Sequence, residues 1–176
     1  MKRKIFLISM IGMLGVFVAG CDKNGNSNPT TGFVELYLLD SYKTVGNTNQ
    51  IDESSIVTKA NPLVAYSDIL SYDSSNYTFK ISDKAKTAIK NTNHSVHGIA
   101  FAIKANNVLI YSGYFWPSYS SASCDWVVID PIMVDINNEL KVEMGYPGLL
   151  PEGTIPDKRN DQRILDIFES DHKLSK

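Results

Sequence analysis

Between Phe33 and Leu39 the aliphatic residues Val34, Leu36 and Leu38 alternate with Glu35 and Tyr37, and a period of two predicts a half-buried strand. Thr78 to Ile81 reads as a second strand running into Ser82-Asp83, and the apolar Ala85, Ala88 and Ile89 that follow sit at i, i+3 and i+4. That spacing is the stripe of a short helix, with Ser82 as its cap and Lys84, Lys86 and Lys90 on its solvated faces. Ile99, Phe101 and Ile103 alternate with Ala100, Ala102 and Lys104, and Asn106-Asn107 then precedes Val108-Leu109-Ile110-Tyr111. Two adjacent asparagines tolerate positive φ, so this segment is expected to form a hairpin.

Trp126 to Ile129 and Leu140 to Met144 supply further strands, the second with Lys141 and Glu143 turned outward, and Pro117, Pro131 and Pro147 mark their limits. Ser41 to Lys59 is mostly polar and low in hydrophobic content, with Ile56 and Val57 adjacent near its end, and predicts a loop with one short strand at most. Ser67-Asp68 offers a cap for one helical turn through Ile69 and Leu70, and Tyr72 to Asn76 predicts a turn. From Gly145 to Pro156 prolines and glycines recur, which implies an irregular connector. Asn160 or Asp161 then caps a last helix whose Ile164, Ile167 and Phe168 again fall at i, i+3 and i+4, with Leu165 beside them. Five or six short, mostly consecutive strands and two helices define an α+β fold: an antiparallel sheet with both helices packed on it.

Residues Leu63 to Ile129 resemble, in apolar pattern, the periplasmic head of the protein-export subunit SecD. The likeness runs through Tyr66-Ser67-Asp68-Ile69-Leu70, Tyr77-Thr78-Phe79-Lys80-Ile81-Ser82, Ile99-Ala100-Phe101-Ala102-Ile103 and Val108-Leu109-Ile110-Tyr111. It implies a fold and carries no translocase function with it.

The first twenty residues have a different character. Met1-Lys2-Arg3-Lys4 is a compact positive start, followed by an uncharged apolar run from Ile5 to Ala19 that is short for a bilayer span. It ends in Val18-Ala19-Gly20-Cys21, which resembles the lipobox of bacterial lipoproteins: an aliphatic residue, two small residues and a cysteine. Small residues admit the backbone to a signal peptidase, and a thiol is the group that takes a diacylglyceryl thioether. The resemblance implies cleavage before Cys21 and three acyl chains on that residue, so the partner at this end is membrane lipid. The domain plan expected is a lipoprotein signal peptide at 1–20, a flexible tether at 21–32 and one α+β domain at 33–176. Residues 22–32 contain no large apolar side chain, which is the composition of a tether. The localisation implied is the cell envelope, with outer membrane or cell surface favoured over inner membrane. Asp22 leaves the choice open, because an acidic residue next to the anchor resembles an inner-membrane retention signal in some bacteria and an export signal in others.

Removing residues 1–20 leaves 156 of the 176 residues and takes away Lys2, Arg3 and Lys4. Against 19 acidic residues 14 basic ones then remain, a net charge near −5, and an acidic body argues against nucleic acid as a partner. With Cys21 committed to lipid, Cys124 has no cysteine partner, so the fold is expected to stand without a disulfide.

The densest candidate chemistry lies between Tyr111 and Trp126, where aromatic and hydroxyl residues interleave. Rings at Tyr114, Trp116, Tyr119 and Trp126, with Asp125 as a hydrogen-bonding acid, suit a sugar or peptide surface. The same aromatics also read as core or edge packing. His94 and His97 could share a metal only with a third ligand, and otherwise read as solvated loop residues. Cys124 could be a nucleophile with a histidine as base, although nothing around it matches a thiol enzyme. Asp157-Lys158-Arg159-Asn160-Asp161 reads as helix capping and surface ion pairs, its central positive pair arguing against calcium. Hydrolase elbow, phosphate-loop and dinucleotide motifs do not occur. No catalytic residue, metal ligand or cofactor is therefore assigned. The function expected is noncatalytic binding of an envelope protein or glycan. A hydrolase using Cys124 or the His94/His97 pair, and a structural subunit of an envelope complex, are the alternatives.

Overall fold

From Val34 the alternation of the first strand is realised as β1 (Val34–Ser41), and a computed structural model describes residues 32–151 and 154–175. The expected signal peptide, Cys21 and the tether up to residue 31 lie outside them. After β1 come β2 (Val57–Thr58), β3 (Ile69–Asp73), β4 (Thr78–Ile81), α1 (Asp83–Lys90), β5 (Ile99–Ala105) and β6 (Val108–Phe115). The chain continues through β7 (Cys124–Ile129), α2 (Pro131–Asn137), β8 (Glu139–Lys141), β9 (Glu143–Tyr146), α3 (Gln162–Ser170) and β10 (Leu174–Ser175). The fold is α+β, as expected, and is more divided than the sequence pattern implied. The described strands form a six-stranded sheet in the order β2-β1-β5-β6-β7-β9 and a four-stranded sheet in the order β10-β3-β4-β8. Most pairs are antiparallel, while β6 with β7 and β10 with β3 run parallel.

Local chemistry accounts for the elements that were anticipated. Asn106 and Asn107 adopt φ of 50° and 66° between the paired Ala105 and Val108, which is the two-residue turn that matches strand twist. Ser82 Oγ accepts the Ala85 N–H at 3.2 Å and Asp161 Oδ1 accepts the Arg163 N–H at 3.0 Å, capping α1 and α3. Ile89 on α1 and Ile164, Ile167 and Phe168 on α3 are buried, as their spacing predicts.

Three local expectations are corrected. Ile69 and Leu70 belong to β3 rather than to a helical turn. A bulge at Leu70 lets both Ile69 and Tyr72 face the core, and this three-residue spacing imitates a helix. Pro131 opens α2 instead of merely ending a strand: Asp130 Oδ1 accepts the Ile132 N–H at 3.0 Å, and proline sits in the first turn, where its missing N–H costs nothing. The strand expected over Leu140–Met144 is broken at Val142, so that β8 serves one sheet and β9 the other.

The larger core fills the space between the sheets. Leu36, Phe101, Ile103 and Phe115 come from the six-stranded sheet, Tyr72, Phe79, Ile81 and Leu140 from the four-stranded one, and Phe168 from α3. A smaller core lies on the other face of the six-stranded sheet, where Leu39, Ala102, Tyr114, Trp116 and Cys124 cluster with Ile51 from the loop between β1 and β2. With both faces covered, β5 and β6 are buried almost throughout. Gly32, assigned to the tether, is packed into the body: a Cβ there would stand 2.6 Å from Ile167 Cγ1. Among the described residues no helix is long and apolar enough to cross a membrane.

Candidate binding cleft

Val142 is the residue at which the chain leaves one sheet for the other. It is buried, its N–H donates to the Tyr77 carbonyl at 3.0 Å, and its own carbonyl accepts from Arg159 Nη1 at 3.1 Å. Where the two sheet edges part, a cleft of about 540 Å³ opens, within the roughly 300–1,000 Å³ typical of small-ligand sites. Met144, Leu149 and Leu150 supply apolar surface to it, and Tyr77, Lys141 and Arg159 supply polar groups. Leu149 is 74 % exposed, the most exposed large apolar side chain described.

One wall is set by the turn from β3 to β4. Asp73 Oδ1 accepts from the Ser75 N–H at 2.9 Å, from Ser75 Oγ at 2.7 Å and from the Asn76 N–H at 3.2 Å, and Asp73 Oδ2 accepts from Asn76 Nδ2 at 2.9 Å. So tied, the turn delivers Tyr77 in the left-handed region, φ 55°, a conformation that a large side chain rarely adopts. These hydrogen bonds, those from the Ser75 and Asn76 side chains foremost, lower the Asp73 carboxyl to about 2. A depressed carboxyl contributes stability above its unfolded value near 4 and loses it as pH falls through the folded value. The turn is therefore expected to hold at pH 4 and to loosen between about pH 4 and 2. Carboxyl and amide NMR shifts of residues 73–77 measure this, and a titration midpoint for Asp73 at the unperturbed value would refute it.

The opposite wall is an extended strap, residues 155–159, whose side chains alternate. Ile155, Asp157 and Arg159 line the cleft, while Pro156 and Lys158 line a second hollow of about 260 Å³ that includes Tyr111 and Trp126. Arg159 is held from several sides. Its Nε and Nη2 donate to Asp157 Oδ1 and Oδ2 at 2.9 and 2.6 Å, Nη1 donates to Val142, and the guanidinium lies 3.6 Å from the centre of the Tyr77 ring. Hydrogen bonding from Arg159 keeps the Asp157 carboxyl below the usual carboxylate range, against the opposing effect of burial. Lys158 Nζ reaches Glu53 Oε2 at 2.6 Å, so the strap is also tied to the loop before β2. Beneath it the Tyr72 hydroxyl donates to the strap, with the Arg159 carbonyl at 2.9 Å and Asn160 Oδ1 at 2.8 Å.

The residues expected to form an aromatic face are not brought together. Tyr114 and Trp116 pack in the smaller core with their rings 6.0 Å apart, and Trp116 Nε1 donates to the Ala122 carbonyl at 3.2 Å. Buried this way they offer no stacking surface, which corrects the expectation for these two. Trp126 is half-buried and lines the second hollow, its Nε1 donating to Ser112 Oγ at 3.3 Å. Asp125 accepts the Asn49 N–H at 2.7 Å and so pins the long loop between β1 and β2. Tyr119 is exposed, next to a separate hollow of about 250 Å³ shared with His94 and α2.

His94 Nε2 lies 2.9 Å from both the Ile89 carbonyl and Thr92 Oγ1, and His97 is exposed in its loop. No group of three or more His, Cys, Asp or Glu among the described residues is arranged to hold a metal ion. Cys124 is buried, and that burial pushes its thiol up to about 12, so near neutral pH it is a protonated, enclosed packing group.

Tyr77 and Arg159, which build the cleft, were not singled out in the sequence. They stand 82 positions apart, and Arg159 sat within a charged run with no local pattern distinguishing it from a surface ion pair. Comparison with protein-family models, with curated proteins and with solved structures returned no match.

Proposed function

We propose that the chain is a lipid-anchored, noncatalytic binding protein of the bacterial cell envelope, fixed to membrane lipid through Cys21 and holding an envelope protein or glycan at the cleft beside Arg159. The observation that carries the binding half of this reading is the cleft itself, where a rigidly held guanidinium and an exposed apolar wall converge at the junction of two sheets. Ligand sites combine apolar surface with a few oriented polar groups in this way. The anchoring half rests on Val18-Ala19-Gly20-Cys21 and the apolar run before it. Residues 22–31 can reach about 35 Å when extended, which is enough to hold the folded body clear of lipid headgroups. Outer membrane or cell surface remains the favoured location.

A photo-crosslinking amino acid in place of Leu149 tests the cleft in whole cells. The expected result is an adduct at position 149 that fades when Arg159→Met is added, with no comparable adduct from a probe at Val57, an exposed site elsewhere. Equal labelling from both positions would count against the cleft.

A further inference from the structure

Among the described residues, the cleft's charged groups stand in two opposite-sign pairs. Arg159 Nη2 is 2.6 Å from Asp157 Oδ2, and Lys141 Nζ is 2.8 Å from Glu143 Oε1. All four residues line the cleft. Each pair keeps capacity in reserve. Among the described residues Arg159 commits three of its five N–H groups, two to Asp157 and one to Val142. Lys141 has three ammonium donors and, among the described residues, one charged partner, and the two carboxylates retain lone pairs beyond those their partners occupy.

Those pairs discriminate between classes of ligand. A carboxylate entering beside Arg159 and Lys141 also meets Asp157 and Glu143, and an ammonium group meets the reverse. A hydroxyl donates and accepts at once, so it can bridge an acid and its basic neighbour without leaving either charge unpaired in a partly closed site. Arg159 is 12 % exposed in its side chain and already fixed by hydrogen bonds and the Tyr77 ring, so little freedom remains to be lost on binding. Hydroxyls alone would not use the other wall. Met144, Leu149 and Leu150 face the same space and suit the C–H faces of a ring.

The geometry points to a neutral, polyhydroxylated ligand: a short stretch of uncharged glycan whose hydroxyls bridge the Arg159/Asp157 and Lys141/Glu143 pairs while its ring faces rest on Leu149, Leu150 and Met144. This narrows the proposed protein or glycan partner to the second, and it rests on the cleft being the binding site.

The full lipid-bearing protein, in detergent, can be run through native gels cast with soluble starch, mannan or xyloglucan, and in parallel with polygalacturonate. Retardation by at least one of the three neutral polymers and by none of the acidic one is the expected result. Leu149→Ser, at a site exposed enough to leave the fold intact, should weaken that retardation about tenfold. Arg159→Met should weaken it at least as much, with near-ultraviolet circular dichroism reporting whether the fold survives. Retardation by none of the neutral polymers, equal retardation by polygalacturonate, or indifference to Leu149→Ser would each overturn the assignment. If the gels fail while the probe at position 149 still captures a protein in cells, the glycan falls and the binding cleft stands. If the probe also fails, both readings fall.

Discussion

Phe168→Ala is expected to remove about 3–5 kcal/mol of stability, read as a fall in the urea midpoint with the slope unchanged. The Phe168 ring is fully buried, with centroids of Tyr66, Tyr72 and Phe79 at 5.7, 5.5 and 5.9 Å. Three aromatic neighbours leave a void that cannot collapse easily, and the tilted ring pairs add to the loss beyond the area uncovered. Against the 5–15 kcal/mol typical of a domain, the change takes about a fifth or more of the total. Its effect should reach the cleft as well. Phe168 clamps α3 to the four-stranded sheet directly after the strap, and Tyr72, one of the rings against it, holds that strap through Arg159 and Asn160. Phe168→Leu keeps most of the volume and should cost markedly less. A loss below about 1 kcal/mol for the alanine variant would mean that α3 is not docked as described.

How much of this was legible in the sequence depended on whether one periodicity ruled a segment. β1, β4, the β5–β6 hairpin and the helices α1 and α3 were anticipated, because each carries its own pattern and its own turn or cap chemistry. The bulge at Leu70 replaced a period of two by a spacing of three and concealed β3. The short β10 has only Leu174 and Ser175, and it exists because β3 offers a parallel edge to it, which no local pattern announces. α2 carries Ile132, Met133 and Ile136 on exposed positions, so its apolar residues do not mark the buried side of an amphipathic helix.

The aromatic segment failed as a surface for a similar reason. A six-stranded sheet with cores on both faces buries alternate residues on each side, and Tyr114 and Trp116 fall on the second face while Phe115 falls on the first. Composition told that rings were concentrated there, and the placement of distant loops, those carrying Ile51 and Gly98, decides that two of them are covered. The cleft was out of reach for a further reason. It is assembled from the β3–β4 turn, the crossing at Val142, the stretch from Leu149 to Pro151 and the strap, and the hydrogen bonds that join them, such as Val142 N–H to Tyr77 and Arg159 to Val142, are not local.

Cys21→Ser is expected to have the largest effect on where the protein resides. Under the lipoprotein reading the mature chain begins at Cys21 and carries three acyl chains, each contributing about 0.8 kcal/mol per buried methylene, where a single chain binds only marginally. Serine has no thiol for the thioether, and without that modification the cut before residue 21 is not made. Intact-mass measurement should show lipid on the wild-type amino terminus, and on the variant no lipid mass together with retained residues 1–20. Membrane association alone would mislead, since an uncut run from Ile5 to Ala19 can hold a chain at the bilayer even though it is short for a full span. The discriminating quantity is therefore the mass at the amino terminus. A serine variant processed and attached like the wild type would show that the Val18–Cys21 motif is incidental. The folded body would then need some other route to an envelope glycan, because its placement outside the cytoplasm rests on that motif and on the apolar run before it.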